Sequence, residues 1–152
     1  MKSIYLDVSC LNRPFDDQSQ TRIRLEAEAV TLILEHAGAG HYRHLSSQIA
    51  KIEIAAMPDP ERRRRVTALL PARADRIRLT SAMFVRAAEL EGMGFKPADA
   101  LHVAAAEALK VNVLLSCDDR LCRRAQAKCR RLHVRVANPL VWLKENPDAP
   151  DA

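Results

Sequence analysis

Short runs of branched apolar residues alternate along this chain with longer stretches whose apolar positions recur every three or four residues. That is the pattern of strands interleaved with amphipathic helices. "SIYLDV" at 3–8 opens as a strand, and the polar "NRPFDDQSQ" follows as a connection. From Thr21 onward Ile23, Ala27, Val30, Ile33 and Leu34 keep helical spacing until "GAG" at 38–40 ends them. In "LSSQIAKIEIAAM", Ser46 or Ser47 offers a cap, Ile49, Ile52 and Ala56 form one face, Glu53 lies inside the helix and Pro58 closes it. Asp59 and Pro60 suit the start of a further helix reaching Leu70. "RIRLT" at 76–80 predicts a strand, and Thr80 or Ser81 caps a helix that "GMGF" breaks after Gly92. A helix beginning near Asp99, a buried strand "VNVLLS", a helix from "CDDRLCRRAQAK", a strand "LHVRV" and a short helix capped by Asn138 and Pro139 complete the pass.

This alternation predicts an α/β domain with a central, mostly parallel β-sheet flanked by α-helices. With 152 residues, 48% of them apolar, the chain fits one domain, expected over 1–144, with 145–152 as a flexible tail. The longest apolar runs, such as "VNVLL", fall short of the roughly 18 residues a membrane span needs. The amino terminus lacks the apolar core of a secretory signal, so no membrane association and a cytoplasmic location are expected. Cys10, Cys117, Cys122 and Cys129 are then expected as free, partly buried thiols. A zinc site of Cys117, Cys122, Cys129 and His133 is the alternative, though it has no CxxC pair to anchor it.

The formal net charge of +5 and pI of about 9.3 suit a polyanionic partner without proving one. The densest basic run, Arg62, Arg63, Arg64 and Arg65, reads either as a solvated helix face or as a patch that grips phosphates without reading bases. Aromatic residues make up 4% of the chain, too few for a stacking platform of the kind single-strand binders use.

The acids narrow the chemistry. In open α/β sheets, ligands bind beyond the carboxyl ends of the strands. Asp7 ends the first strand and Asp118 follows "VNVLLS", so a parallel sheet opens both into one crevice. Asp99, at the first turn of its helix, is either a cap for free backbone N–H groups or a member of that site. With Glu53, four acids come from four elements, and a hard cation such as Mg²⁺ is commonly held by a few carboxylates plus waters and phosphates.

"IYLDVSCLNRPF", a Glu in the helix after the first long helix, "PADALHVAAAEA" and "VLLSCDDRL" together resemble the PIN domain, in the small bacterial form of toxin (VapC-like) ribonucleases, over residues 3–143. The resemblance implies a Mg²⁺- or Mn²⁺-dependent nuclease that hydrolyses phosphodiester bonds of RNA. It assigns Asp7, Asp99 and Asp118 to the cation, and Glu53 either to the cation or to orienting the attacking water. Ser9 and Ser116 become hydroxyl donors that steady the acids. In "SCDD", Asp118 and Asp119 compete for the fourth acid, and the spacing from Ser116 favours Asp118. His102, one turn after Asp99, is either a general acid or a hydrogen-bonded histidine beside the site. Arg13 and the run Arg62 to Arg65 are the weak candidates for neutralising RNA phosphates. A homodimer and a protein antitoxin are further implications of the resemblance. "NRPFDD" is longer and more polar than the family's usual continuation, which bears on substrate choice.

Other readings fit less well. A haloacid dehalogenase-type phosphatase needs a second acid where Ser9 stands, a receiver domain needs a mid-chain Asp where Glu53 stands, and no GxGxxG marks a dinucleotide fold. The rival from another class is a PIN-like module that binds RNA or protein without cutting, whose expected mark is the loss of one or more acids.

Overall fold

The computed structural model describes residues 1–146. Five strands, β1 (Lys2–Leu6), β2 (Tyr42–Ser47), β3 (Arg76–Ile77), β4 (Val113–Leu115) and β5 (Val136–Ala137), pair in the order β3-β2-β1-β4-β5. Every pairing is parallel. Eight α-helices flank the sheet among the described residues: α1 (Val8–Asn12), α2 (Thr21–Gly38), α3 (Gln48–Ala55), α4 (Pro60–Thr67), α5 (Ser81–Gly92), α6 (Pro97–Leu109), α7 (Asp119–Ala127) and α8 (Pro139–Glu145). The expected α/β architecture is the one observed.

Both faces of the sheet are covered, so its central strands are apolar on successive residues instead of alternating with polar ones. Ile4, Leu6, Val113 and Leu115 pack toward α1, α2 and α8, in a cluster with Val30, Ile33 and Trp142. Tyr5, Leu45 and Leu114 pack toward α5, α6 and α7, with Met83, Leu90, Val103 and Leu121. From β1 the chain builds outward through β2 and β3, then returns to lay β4 on the other side of β1. The reversal between β1 and β4 makes a crevice at their carboxyl ends, where ligands of such sheets bind.

Several boundaries differ from the expectation. β2 lies in "HYRHLSS", between the glycines that end α2 and the expected serine cap, and was not read as a strand. Its two large apolar residues, Tyr42 and Leu45, face opposite sides of the sheet, and Arg43 and His44 hide the pattern further. The connection after β1 is not a loop throughout. Asp7 accepts from the Cys10 N–H to start α1, and a 3₁₀ turn at Arg13–Phe15 follows. In α3 the buried stripe is Ile49, Ala50 and Ile54, while Ile52 is half exposed and Ala56 is exposed. The expected Ile49–Ile52–Ala56 face is therefore turned, and the turn carries Glu53 inward. The strand expected at 76–80 is only Arg76–Ile77, and that at 132–136 is replaced by Val136–Ala137. Glu145 belongs to α8 and the Asn146 side chain bonds the Trp142 carbonyl at 2.8 Å; residues 147–152 of the expected tail lie outside the described residues.

The caps at Asp59, Thr80 and Asn138 form as their sequences predict. α6 instead ends on Lys110 with φ of 56°, a left-handed conformation that costs a residue with a Cβ about 1–2 kcal/mol. Lys110→Gly removes that strain but loosens the unfolded chain, so a net gain of about 0.5–1 kcal/mol is expected in urea unfolding. No gain would mean that the Lys110 side chain makes up the difference.

Candidate active site

Asp7 stands one residue beyond β1, with its N–H still paired to the Leu115 carbonyl at 3.0 Å. Its Oδ1 accepts from the Cys10 N–H at 3.0 Å and from the Ser9 hydroxyl at 2.6 Å. Asp118 mirrors it beyond β4, capping α7 with Oδ1 through the N–H groups of Arg120 and Leu121 at 2.9 and 3.3 Å. The two serines tie these acid-bearing turns together. Ser9 Oγ accepts from the Cys117 N–H at 3.1 Å and lies 3.4 Å from Ser116 Oγ, which accepts from the Asp118 N–H at 3.0 Å. Burial pushes the Asp7 carboxyl above its ordinary range, against the opposing pull of the Ser116 and Ser9 hydroxyls.

Asp99 is the third residue of α6, and the cap position belongs to Lys96. The capping alternative therefore fails: the Asp99 carboxylate binds no backbone N–H of its helix. Burial pushes its pKa up to about 6, and the charges of Asp7, Asp118 and Glu53 add to the shift. Those three acids are thus its electrostatic neighbours. Asp119 is placed apart from them. Half exposed, it binds the Arg22 guanidinium through both carboxylate oxygens, and that contact holds its carboxyl below the usual range.

Glu53 reaches the cleft from α3, where the Nε2 of buried His102 meets its Oε1. His102 Nδ1 lies 2.6 Å from the Tyr5 hydroxyl, which lies 2.6 Å from Ser47 Oγ. Tyr5 and Ser47 carry no site signal of their own in the sequence, because Tyr5 reads as an apolar strand residue and Ser47 as a helix cap. The period-2 pattern does carry one signal, since Tyr5 and Asp7 fall on the same side of β1.

A second polar cluster borders the crevice. Glu26 of α2 is fully buried, and its Oε2 accepts from Asn138 Nδ2 at 2.5 Å and Arg22 Nε at 3.4 Å. Arg13 Nε stands 3.0 Å from Oε1 in an ion pair whose angle falls short of a hydrogen bond. Arg13 also pairs with Asp16 at 3.0 Å, and Arg62 reaches the same Asp16 at 2.7 Å. Arg63 bonds the Met57 carbonyl at 2.6 Å, and Arg64 and Arg65 both pair with Glu61. The arginine run is thus engaged by the protein's own acids and carbonyls instead of standing free. Arg22, paired with Asp119 and Glu26, and Arg135, paired with Glu145, line with Arg123 and Lys144 a cavity of about 500 Å³ beside α7, β5 and α8.

All four cysteines are free thiols. Cys10 and Cys117 are buried with their sulfurs 3.6 Å apart, Cys129 is exposed, and no metal-holding group forms with His133.

Among the described residues no three His, Cys, Asp or Glu side chains are gathered tightly enough to hold a cation by themselves. The donor chemistry nevertheless suits a hard divalent ion: every acid here is an oxygen donor, Asp99 has no hydrogen-bonded cap to give up, and the Asp7 and Asp118 contacts all fall on Oδ1. Mg²⁺ keeps several of its waters and needs only one or two carboxylates, so an open arrangement fits it better than a closed cage.

An all-parallel α/β sheet with acids at its β1/β4 crevice is an arrangement that several phosphoryl-handling folds share, and the comparison of families narrows it. The PIN domain model matches residues 4–127, and the chain belongs to the PIN domain family, whose members are mostly metal-dependent nucleases. Among curated proteins no match to this chain was found.

Proposed function

We propose that this protein is a Mg²⁺- or Mn²⁺-dependent endoribonuclease, acting as the toxin of a toxin–antitoxin pair. The observation that carries the nuclease reading is Asp99, a carboxylate without a cap, crowded by Asp7, Asp118 and Glu53 at the crevice between β1 and β4. Like charges held together raise one another's pKa, and a divalent cation relieves that repulsion. Asp7, Asp99 and Asp118 hold the ion, with Ser9 and Ser116 fixing the first and last of them. A bound Mg²⁺ or Mn²⁺ supplies Lewis acidity toward water and the phosphoryl oxygens. Glu53, anchored at Oε1, orients the attacking water through Oε2, and Arg22, paired with Asp119 next to Asp118, and Arg13 meet the RNA phosphates. The toxin role, the antitoxin and a homodimer rest on the family resemblance alone, and a cytoplasmic location on the amino-terminal sequence. No helix among the described residues is long and apolar enough to cross a membrane.

The test is cleavage of a mixed RNA pool by the purified protein with Mg²⁺, with Mn²⁺ and with chelator. Cleavage that needs the cation is expected from the wild type and from Asp119→Asn, and is expected to be lost in Asp118→Asn. Cleavage lost in Asp119→Asn but kept in Asp118→Asn would reverse their roles. Binding of RNA with no cleavage under any cation would favour the non-catalytic module.

A further inference from the structure

We infer that Tyr5 and His102 are positioning residues that hold Glu53 in place through a one-way chain of hydrogen bonds starting at Ser47. The inference deepens the nuclease reading and rests on it for its effect on rate.

The four acids of the crevice are not anchored alike. Asp7 and Asp118 are short side chains at strand ends, fixed by backbone N–H groups. Glu53 is a long side chain near the end of a helix, a third exposed, and its carboxylate has no backbone donor among its contacts. Such a side chain loses considerable rotamer freedom when held in one position. His102 supplies the hold, and Tyr5 supplies the hold on His102.

The order of protons follows from donor and acceptor capacity. An ionised Glu53 carboxylate only accepts, so His102 Nε2–H donates to it. In a neutral imidazole the other nitrogen, Nδ1, then accepts, and the Tyr5 O–H is its donor at 2.6 Å. The Tyr5 oxygen accepts in turn from the Ser47 O–H, also at 2.6 Å. With the imidazole neutral and protonated on Nε2, every bond points toward the carboxylate.

A core role alone does not account for the chain. Tyr5 is fully buried among Leu45, Val103 and Leu114, where a Phe ring would fill the same space without a hydroxyl to satisfy. Ser47 and His102 are buried as well, so β1, β2 and α6 each commit a polar side chain to a path that ends at the cleft. Orientation of a ligand or a water by such supporting contacts is worth about 10–100-fold in affinity or rate when they are removed.

Tyr5→Phe tests this, because it keeps the ring and removes one hydroxyl. The expected result is a kcat about 10-fold lower, with the KM for RNA and the Mn²⁺ dissociation constant by calorimetry both within about twofold of wild type, since Glu53 orients the water and the three aspartates hold the ion. Nitrogen-15 NMR of the wild type at neutral pH is expected to show His102 protonated on Nε2 and bare on Nδ1. Leu90→Val loosens the same apolar cluster away from the chain and is expected to keep wild-type kcat and Mn²⁺ affinity. The inference is overturned by Nδ1–H in the wild type, by a wild-type kcat in Tyr5→Phe, or by an equal loss of kcat in Leu90→Val. If the wild type neither binds Mn²⁺ nor cuts RNA, the nuclease reading falls, and the tautomer alone decides whether the chain stands.

Discussion

Asp99→Asn is expected to lower cation-dependent cleavage by more than about 100-fold and, in protein freed of cations, to raise the melting temperature at neutral pH. The two effects have one origin. Folding moves the Asp99 pKa from 3.8 to about 6, through burial and through Asp7, Asp118 and Glu53. The folded state therefore holds this proton more tightly than the unfolded state. The stabilisation this group provides is complete below about pH 4 and is lost as the pH rises through about 6. At neutral pH, without a cation, Asp99 is ionised against its neighbours' charges and works against the fold. Asn has nearly the same shape, carries no charge, and offers an N–H₂ to the adjacent carboxylates. Other acids pull the opposite way: Asp119, held by Arg22, and Glu61, held by Arg64, stabilise the fold until acid protonates them. The informative quantity is thus the difference in melting temperature between variant and wild type. It should grow in the variant's favour from pH 4 to pH 7 in chelator and shrink or reverse on adding Mn²⁺. A constant difference across that range would mean that Asp99 does not titrate in the crowd of acids.

The same pair of measurements separates a metal-holding acid from a structural one. Removing a stabilising cap costs about 1 kcal/mol whether or not a cation is present. Removing a carboxylate that exists to bind a cation stabilises the empty protein and abolishes the cation's own stabilisation, which follows mass action. Asp118 combines both roles, since it caps α7 and also borders the crevice. Its Asn variant retains a capping oxygen and should behave more like Asp99→Asn than Asp118→Ala does.

What was legible in the chain was whatever local chemistry decides. The acids at strand ends, the Asp59, Thr80 and Asn138 caps and the alternation of strands and helices all follow from short-range rules. β2 was not legible, because burial on both faces leaves a strand without alternation and its serines and histidine resemble a loop. The direction of α3 was misread for a related reason. Ile49, Ile52 and Ala56 make as good a stripe as Ile49, Ala50 and Ile54, and only packing against the rest of the fold chooses between them. That choice decides whether Glu53 points into the crevice. The arginine run leaves two readings open, a solvated face or a phosphate patch, because a sequence shows charge but not pairing; Asp16, Glu61 and the Met57 carbonyl absorb it. Glu26 did leave a trace. It stands three residues after Ile23 and four before Val30, inside the apolar stripe of α2, where an unpaired carboxylate would be costly.

Glu26→Ala is accordingly expected to cost about 3 kcal/mol or more in urea unfolding. The carboxylate is fully buried and serves three partners at once, Arg13, Arg22 and Asn138, which come from the connection after α1, from α2 and from the start of α8. Without it, two guanidinium groups and an amide face each other across the gap with no acceptor between them. Arg13 keeps Asp16 and Arg22 keeps Asp119, and both arginines reach partly into solvent, so the cost stays at the lower end of that for an orphaned buried charge. Glu26→Gln preserves volume and one acceptor and should cost less than half as much. The consequence extends to the cleft, because Arg22 is tied to Asp119, the residue after Asp118. In Glu26→Gln the KM for RNA should rise while kcat stays close to wild type, and the rise should fade at high salt, where phosphate contacts contribute little. A kcat that falls with KM unchanged would instead place Glu26 in support of the acids themselves, through Arg22 and Asp119.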